Sequence, residues 1–399
     1  MFSSVISTLR ASPIQVMAER TRQAVTAGQH VIDMTLGEPD FPTPDHIGEA
    51  AARAIADGET RYTPINGSVA LRQAIVAKFA KDNEIACSVA DISVGCGGKQ
   101  VIYQAFLATL NPGDEVLIPA PYWASYGDIV EMNGGTLRPI MTKPEDGYAL
   151  APEALAAAIT KASKWLVLNS PSNPSGTAYT KEALLEFAQV IRRSKHQDFL
   201  IMVDDIYEHI VYDGRPFVTL AQVAPDLAGR ILTINGVSKA YSMTGWRVGY
   251  ACGPRPLIEA MTKLQMQINS HTSSISQAAA VAALTGPQDE VHRRRAIFEA
   301  RRDYLLGEFS NIAGLKTPKP EGAFYLFPDV RSFIGRRTTD GEIIADDVAL
   351  ASYLLDKGVA LVPGSGFGMP GFVRLSYATS DKNLKVASDR MKSALESLC

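Results

Sequence analysis

Lys239 lies just beyond the apolar run 231–234 (ILTI), and Asp204 with Asp205 closes the very apolar run 199–203 (FLIMV). An amine that is partly desolvated near another cation loses basicity and becomes a usable nucleophile. A carboxylate at the end of so apolar a strand needs a cation or donors to offset its burial. Upstream, in 95–100 (GCGGKQ), Gly95, Gly97 and Gly98 end one strand and open a helix, leaving backbone N–H groups free at the positive end of the helix dipole. Each feature alone has a plainer reading: a surface lysine, an N-cap or ion pair, a tight strand-to-helix turn. The glycines complete no nucleotide fingerprint, because Ser93 stands where a P-loop needs its first glycine and Gln100 where it needs Ser or Thr. Taken together, an amine, a carboxylate and an anion cradle are what pyridoxal phosphate requires: a Schiff-base partner, a group to keep the pyridine nitrogen protonated, and a phosphate site.

The elements that must position these residues follow an alternating rhythm. Apolar runs at 92–94, 115–118, 164–168, 199–203 and 231–234 are separated by helical segments near 99–110 and 181–194, the second N-capped by Thr180 with Glu182 in its first turn. Strands apolar on both faces and separated by helices imply an α/β fold with a mainly parallel central sheet covered on both sides, which binds ligands at the carboxyl ends of its strands. Five segments leave such ends: 95–100, 169–176 (NSPSNPSG), 204–207 (DDIY), 236–247 (GVSKAYSMTGWR) and 374–377 (RLSY). After about residue 285 a charged helical stretch (288–309), runs at 323–327, 359–362 and 372–376, and a final helix suggest a smaller α+β domain. The expected division is an N-terminal arm that belongs in part to the small domain (1–44), a large cofactor-binding domain (45–284) and a small C-terminal domain (285–399). The arm carries an amphipathic helix near 14–27 and then Gly37-Glu38-Pro39-Asp40; with no sheet of its own, it should pack on another element or subunit.

Composition narrows the class. Lys plus Arg is 39 against 42 for Asp plus Glu, a formal charge of −3, which argues against a broad basic surface for nucleic acid. The longest apolar stretches, such as 277–284 (QAAAVAAL), are far too short to span a bilayer, and residues 1–10 lack a signal-peptide pattern. A cytoplasmic protein with no membrane partner is expected. Cys87, Cys96, Cys252 and Cys399 form no CxxC pair and flank no His cluster, so neither a metal site nor a disulfide framework is indicated.

Six segments appear in an order and spacing that resemble a known family: 37–40 (GEPD), 121–123 (PYW), 169–176, 204–208 (DDIYE), 238–249 (SKAYSMTGWRVG) and 374–379 (RLSYAT). The chain resembles, over nearly its full length, the fold-type-I pyridoxal-phosphate aminotransferases of class I/II, most closely the bacterial aspartate aminotransferase subgroup. The resemblance implies that Lys239 forms the Schiff base and moves the α-proton, that Asp204 pairs with the pyridinium nitrogen, and that Tyr207 and Asn173 hydrogen-bond the phenolic oxygen. It assigns Trp123 to the ring face and Gly98, Lys99, Gln100, Ser238 and Arg247 to the phosphate. Tyr62, in 61–67 (RYTPING), would reach the neighbouring subunit's phosphate, which implies a homodimer with shared sites. On the substrate side it assigns Arg374 to the α-carboxylate with help from Asn173, and brings the backbone of Gly37, with Trp123, close to the substrate.

Substrate choice is less constrained. Lys99 matches a lysine that helps recognise a second carboxylate in some bacterial aspartate aminotransferases, which favours aspartate and glutamate with 2-oxoglutarate in a ping-pong exchange. The segment 269–275 (NSHTSSI) has no arginine for a distal carboxylate and carries His271 instead, and 12–16 (SPIQV) departs from the threonine-bearing pattern of dicarboxylate-specific members. Aromatic or other amino acids, a β-lyase on the same fold and a catalytically idle cofactor-binding module are the alternatives.

Overall fold

The computed structural model describes residues 5, 6, 9 and 13–399. In chain order its strands are β1 (Ile32–Asp33), β2 (Ile92–Gly95), β3 (Glu115–Ala120), β4 (Thr136–Met141), β5 (Ser163–Asn169), β6 (Leu200–Asp204), β7 (Ile231–Gly236), β8 (Gly249–Cys252), β9 (Tyr325–Leu326), β10 (Val359–Ala360), β11 (Val362–Pro363) and β12 (Val373–Ser376). Seven of these build one sheet in the order β2-β8-β7-β6-β5-β3-β4. Alternate residues of its strands face opposite ways. On one face Val116, Ile118, Trp165, Val167 and Met202 join the helix Gly98–Leu107 in a single core. On the other, Leu117, Leu166, Leu168, Ile201 and Val203 meet Leu184, Phe187 and Ile191 of the helix Lys181–Arg193. The period of two explains why these runs are apolar throughout. Thr180 caps that helix, its side chain accepting from the Ala183 N–H.

The sheet is parallel except at one strand. β8 runs antiparallel to both β7 and β2, which fits the mainly parallel sheet expected from the sequence. β4 is the second strand that sequence reading passed over; among the described residues it pairs only with β3, and Pro139 sits in it opposite Ile118. Proline is tolerated at such an edge because no neighbour needs its missing N–H.

The arm also has a partner. β1 pairs in parallel with β10, Ile32 opposite Val359, and the helix Pro13–Thr26 places Met17 in a core shared with Phe298, Leu305, Leu354 and Leu375. The run 359–362 is not one strand. It divides at Leu361 into β10, which serves β1, and β11, which joins the antiparallel sheet β11-β12-β9. No helix among the described residues is long and apolar enough to cross a membrane, and no cluster of metal-ligating side chains occurs among them.

Candidate active site

Registers across the large sheet bring four of the strand-end segments to one line. Asn169 at the end of β5 lies opposite Asp204 at the end of β6, Asp204 opposite Ile234 of β7, and Gly236 opposite Gly249, which in turn faces Gly95. Adjacent strands are about 4.8 Å apart, so the segments after Gly95, Asn169, Asp204 and Gly236 surround one space. The fifth segment arrives from the other side: Arg374 lies within β12 of the small sheet, not beyond a strand of the large one. Together they line a cavity of about 510 Å³. Its walls include Gly37, Gly98, Lys99, Trp123, Asn173, Asp204, Tyr207, Ser238, Lys239, Arg247 and Arg374, which are eleven of the thirteen candidate residues.

Lys239 donates from Nζ to the carbonyl of Gly37 at 2.5 Å. Burial, opposed by Glu38 and reinforced by the cations Arg247 and Arg374, holds its amine down to about pH 8, so a sizeable neutral fraction exists near neutrality. Asp204 is 6% exposed. Its Oδ2 accepts from Tyr126 Oη at 2.5 Å and its Oδ1 from the Ile206 N–H at 3.4 Å. Burial raises its carboxyl above the usual range, and the Tyr126 bond works against that rise. Asn169 ties two loops together, donating to the Asp204 carbonyl at 2.9 Å while accepting from the Asn173 N–H at 2.8 Å.

The carboxylate-binding end is built from buried parts. Arg374, 1% exposed, donates to Asn173 Oδ1 at 3.1 Å and to the carbonyl of Thr35, and its guanidinium stacks 4.7 Å from the Tyr325 ring centre. Among the described residues its Nε has no hydrogen-bond partner. A buried guanidinium edge in this state is suited to a carboxylate. Tyr207 pairs through its hydroxyl with that of Tyr325 at 2.7 Å.

At the other end, the helix Gly98–Leu107 points its first N–H groups at the cavity. Gly97 has φ +82°, and a side chain there would collide with the guanidinium of Arg247; one on Gly249 would collide with the backbone at 97–98. The absence of side chains at both positions therefore lets a cation close over the helix terminus. Arg247 itself has φ +57° and donates to Thr244 O at 2.8 Å and Cys96 O at 3.3 Å. Lys99 is exposed at the cavity mouth with Nζ 4.9 Å from the Trp123 ring centre, and partial burial with the neighbouring Arg247 lowers its proton affinity.

Two candidates lie outside the cavity. Gln100 is turned back on the loop: its Oε1 accepts from the Cys96 N–H and its Nε2 donates to Asn269 at 2.5 Å, so its side chain braces the turn. Tyr62 is 91% exposed, with its ring edge-on to His271 at 5.5 Å. His271 bonds to Thr63 and Thr272 and does not line the cavity. Within 12–16, Ile14 and Gln15 line the cavity, whereas Ser12 is outside the described residues. Sequence reading missed Tyr126, Asn169, Tyr325 and Thr35. Asn169 begins a segment already singled out; the two tyrosines carry no local signal, since their partners lie 78 and 118 residues away.

The fold is that of an amino-group transferase. Residues 29–391 match the family described as aminotransferase class I and II, and the chain belongs to it. It is 48% identical over 386 residues, 96% of each chain, to the aspartate/prephenate aminotransferase of Cereibacter sphaeroides. It is 47% identical, over 99% of this chain and 96% of the relative, to an aspartate aminotransferase of Rhizobium meliloti. The crystal structure of the aspartate aminotransferase from Rhizobium meliloti superposes with a TM-score of 0.97 at 47% identity over the whole of both chains. That of Thermus thermophilus aspartate aminotransferase with maleate gives 0.91 at 38% identity over 99% of each.

Proposed function

We propose that the protein is a pyridoxal-5′-phosphate-dependent aminotransferase that exchanges the amino group of aspartate or glutamate with 2-oxoglutarate in a ping-pong cycle. What carries the reading is the convergence on one cavity of a lysine amine of lowered basicity, a buried carboxylate and a buried guanidinium. The fit of the cofactor rests on three features: the Gly97–Gly98 terminus with Arg247 and Ser238 for its phosphate, Asp204 for its ring nitrogen, and Lys239 for its aldehyde carbon. Bound there, pyridoxal phosphate supplies an electron-withdrawing ring that stabilises negative charge at the substrate α-carbon.

In this reading Lys239 Nζ takes the proton from the α-carbon and returns it on the other side of the exchange. Asp204 keeps a proton on the ring nitrogen, Tyr207 and Asn173 donate to the phenolic oxygen, and Trp123 covers one ring face. Arg374 and Asn173 grip the α-carboxylate, and the GEPD segment, with Glu38 accepting from Thr244 at 2.5 Å and Asp40 held by Arg301, covers the amine. The exposed Tyr62 contributes to the phosphate site of a second copy, giving a cytoplasmic homodimer.

Lys99 at the mouth serves a second carboxylate. The relatives named for aspartate, and the neighbour solved with maleate, support a dicarboxylate. Ile102, Ile129 and Met132 line the same cavity, and this apolar wall favours a second, bulkier substrate such as prephenate, named in the Cereibacter relative. The test is oxaloacetate formation from aspartate and 2-oxoglutarate by the purified protein, alongside Lys239→Ala. Turnover in the parent and none in the variant is expected. Substantial turnover in Lys239→Ala refutes the assignment; pyruvate and ammonia from a β-substituted amino acid without any 2-oxo acid would favour a β-lyase.

A further inference from the structure

Tyr325 stands where three parts of the cavity meet. Its hydroxyl lies 2.7 Å from that of Tyr207, its ring lies 4.7 Å from the Arg374 guanidinium, and the backbone at Gly37 closes over its hydroxyl so tightly that a side chain there would collide with it. Gly37 in turn accepts the Lys239 amine. Both tyrosines are buried, Tyr207 at 3% and Tyr325 at 0% exposure, and both line the cavity.

Two hydroxyls in mutual contact share one proton, and the second proton points elsewhere. Electrostatics decides which tyrosine donates. The Arg374 cation over its ring makes Tyr325 the readier donor, whereas at Tyr207 the carboxylate of Asp204 opposes the same cation. We propose that Tyr325 is a positioning residue that donates its hydroxyl proton to Tyr207 Oη and so leaves the Tyr207 proton aimed into the cavity, at an anionic oxygen of the bound group. The proposal rests on the cofactor reading above. It also places the carboxylate-binding guanidinium one ring away from the tyrosine that faces the cofactor.

The experiment follows the visible absorption of the protein loaded with pyridoxal phosphate as a function of pH, in the parent, Tyr325→Phe, Tyr207→Phe and the double variant. The dissociation constant for pyridoxal phosphate is measured by equilibrium dialysis on the same set. Tyr207 donating to an anionic oxygen favours the deprotonated form, so losing that donation must move the spectral midpoint to higher pH. Tyr325→Phe, which keeps the ring, is expected to raise it by about one unit, a tenfold change in proton affinity. Tyr207→Phe should raise it at least as far, and the double variant no further than Tyr207→Phe, because Tyr325 acts on the bound oxygen only through Tyr207. A parent-like midpoint in Tyr325→Phe, or shifts that add in the double variant, would overturn the proposal. A parent protein that acquires no visible band would instead overturn the cofactor reading itself.

Discussion

Replacing Tyr126 by Phe tests how the buried carboxylate is kept ionised. Tyr126 is fully buried, and its Oη donates to Asp204 Oδ2 at 2.5 Å; among the described residues the only other hydrogen bond to that carboxylate, from the Ile206 N–H, is long at 3.4 Å. A hydrogen bond to a charged acceptor contributes about 1.5–3 kcal/mol, equivalent to about one to two pH units in the acceptor's proton affinity. Burial already raises the Asp204 carboxyl, and the Tyr126 bond opposes the rise. Deleting the hydroxyl therefore raises it further, so the carboxylate is lost at a higher pH as the solution is acidified. The phenyl ring keeps its edge-on packing against Trp123, centred 5.3 Å away. If ionised Asp204 is required for turnover, the acidic limb of kcat/KM for aspartate moves up by about one to two pH units while the alkaline limb stays. A variant whose acidic limb overlies that of the parent would refute the reasoning.

Four further outcomes follow from the same geometry. Arg374→Lys replaces a planar fork by a point charge, so KM for every amino acid should rise and kcat/KM fall about ten- to hundredfold; a parent-like KM would contradict carboxylate binding there. Lys99→Gln should lower kcat/KM for aspartate about tenfold and for phenylalanine much less, measured by steady-state kinetics; equal losses would remove Lys99 from substrate selection. The Lys239 amine, held near pH 8, should react with trinitrobenzenesulfonate in the cofactor-free protein with a midpoint close to that pH, whereas a rate still climbing at the ordinary lysine value of 10.5 would contradict it. Behind the site, Lys78 pairs with Glu208 and donates to Asn83 at 2.6 Å, all three being buried. Burial alone would raise the Glu208 carboxyl, but Lys78 and His209 hold it below the usual range. Lys78→Met leaves that charge with only His209 and the Asn83 amide to offset it and should cost about 3 kcal/mol at neutral pH, read by denaturant titration; an unchanged midpoint would contradict the pairing.

How much of this was legible in the sequence depends on the range of the interactions involved. Strands β3, β5, β6 and β7 were visible because burial on both faces demands continuous apolar runs. β4 was not, since its pattern of mostly exposed residues around Pro139 reads as a loop until the edge of the sheet is known. β8 is four residues long and begins at Gly249, whose missing side chain reflects the approach of the 97–98 backbone, a tertiary fact. Lys239, Asp204 and the glycine turn could be found because each sits at a strand end, a position that a local pattern reveals. The family resemblance places Gln100 at the anion. Its amide instead finds the Cys96 N–H four residues back, a local bond that competes with any ligand. Tyr126 reads as one more helix residue and Tyr325 as one more strand residue; only the folded chain sets their hydroxyls against Asp204 and Tyr207.

The visible absorption spectrum of the protein loaded with pyridoxal phosphate tests the central claim most directly. The band should change on adding aspartate or glutamate, return on adding 2-oxoglutarate, and be absent in Lys239→Ala. A band that aspartate and glutamate leave unchanged, or that persists unaltered in Lys239→Ala, would contradict the account.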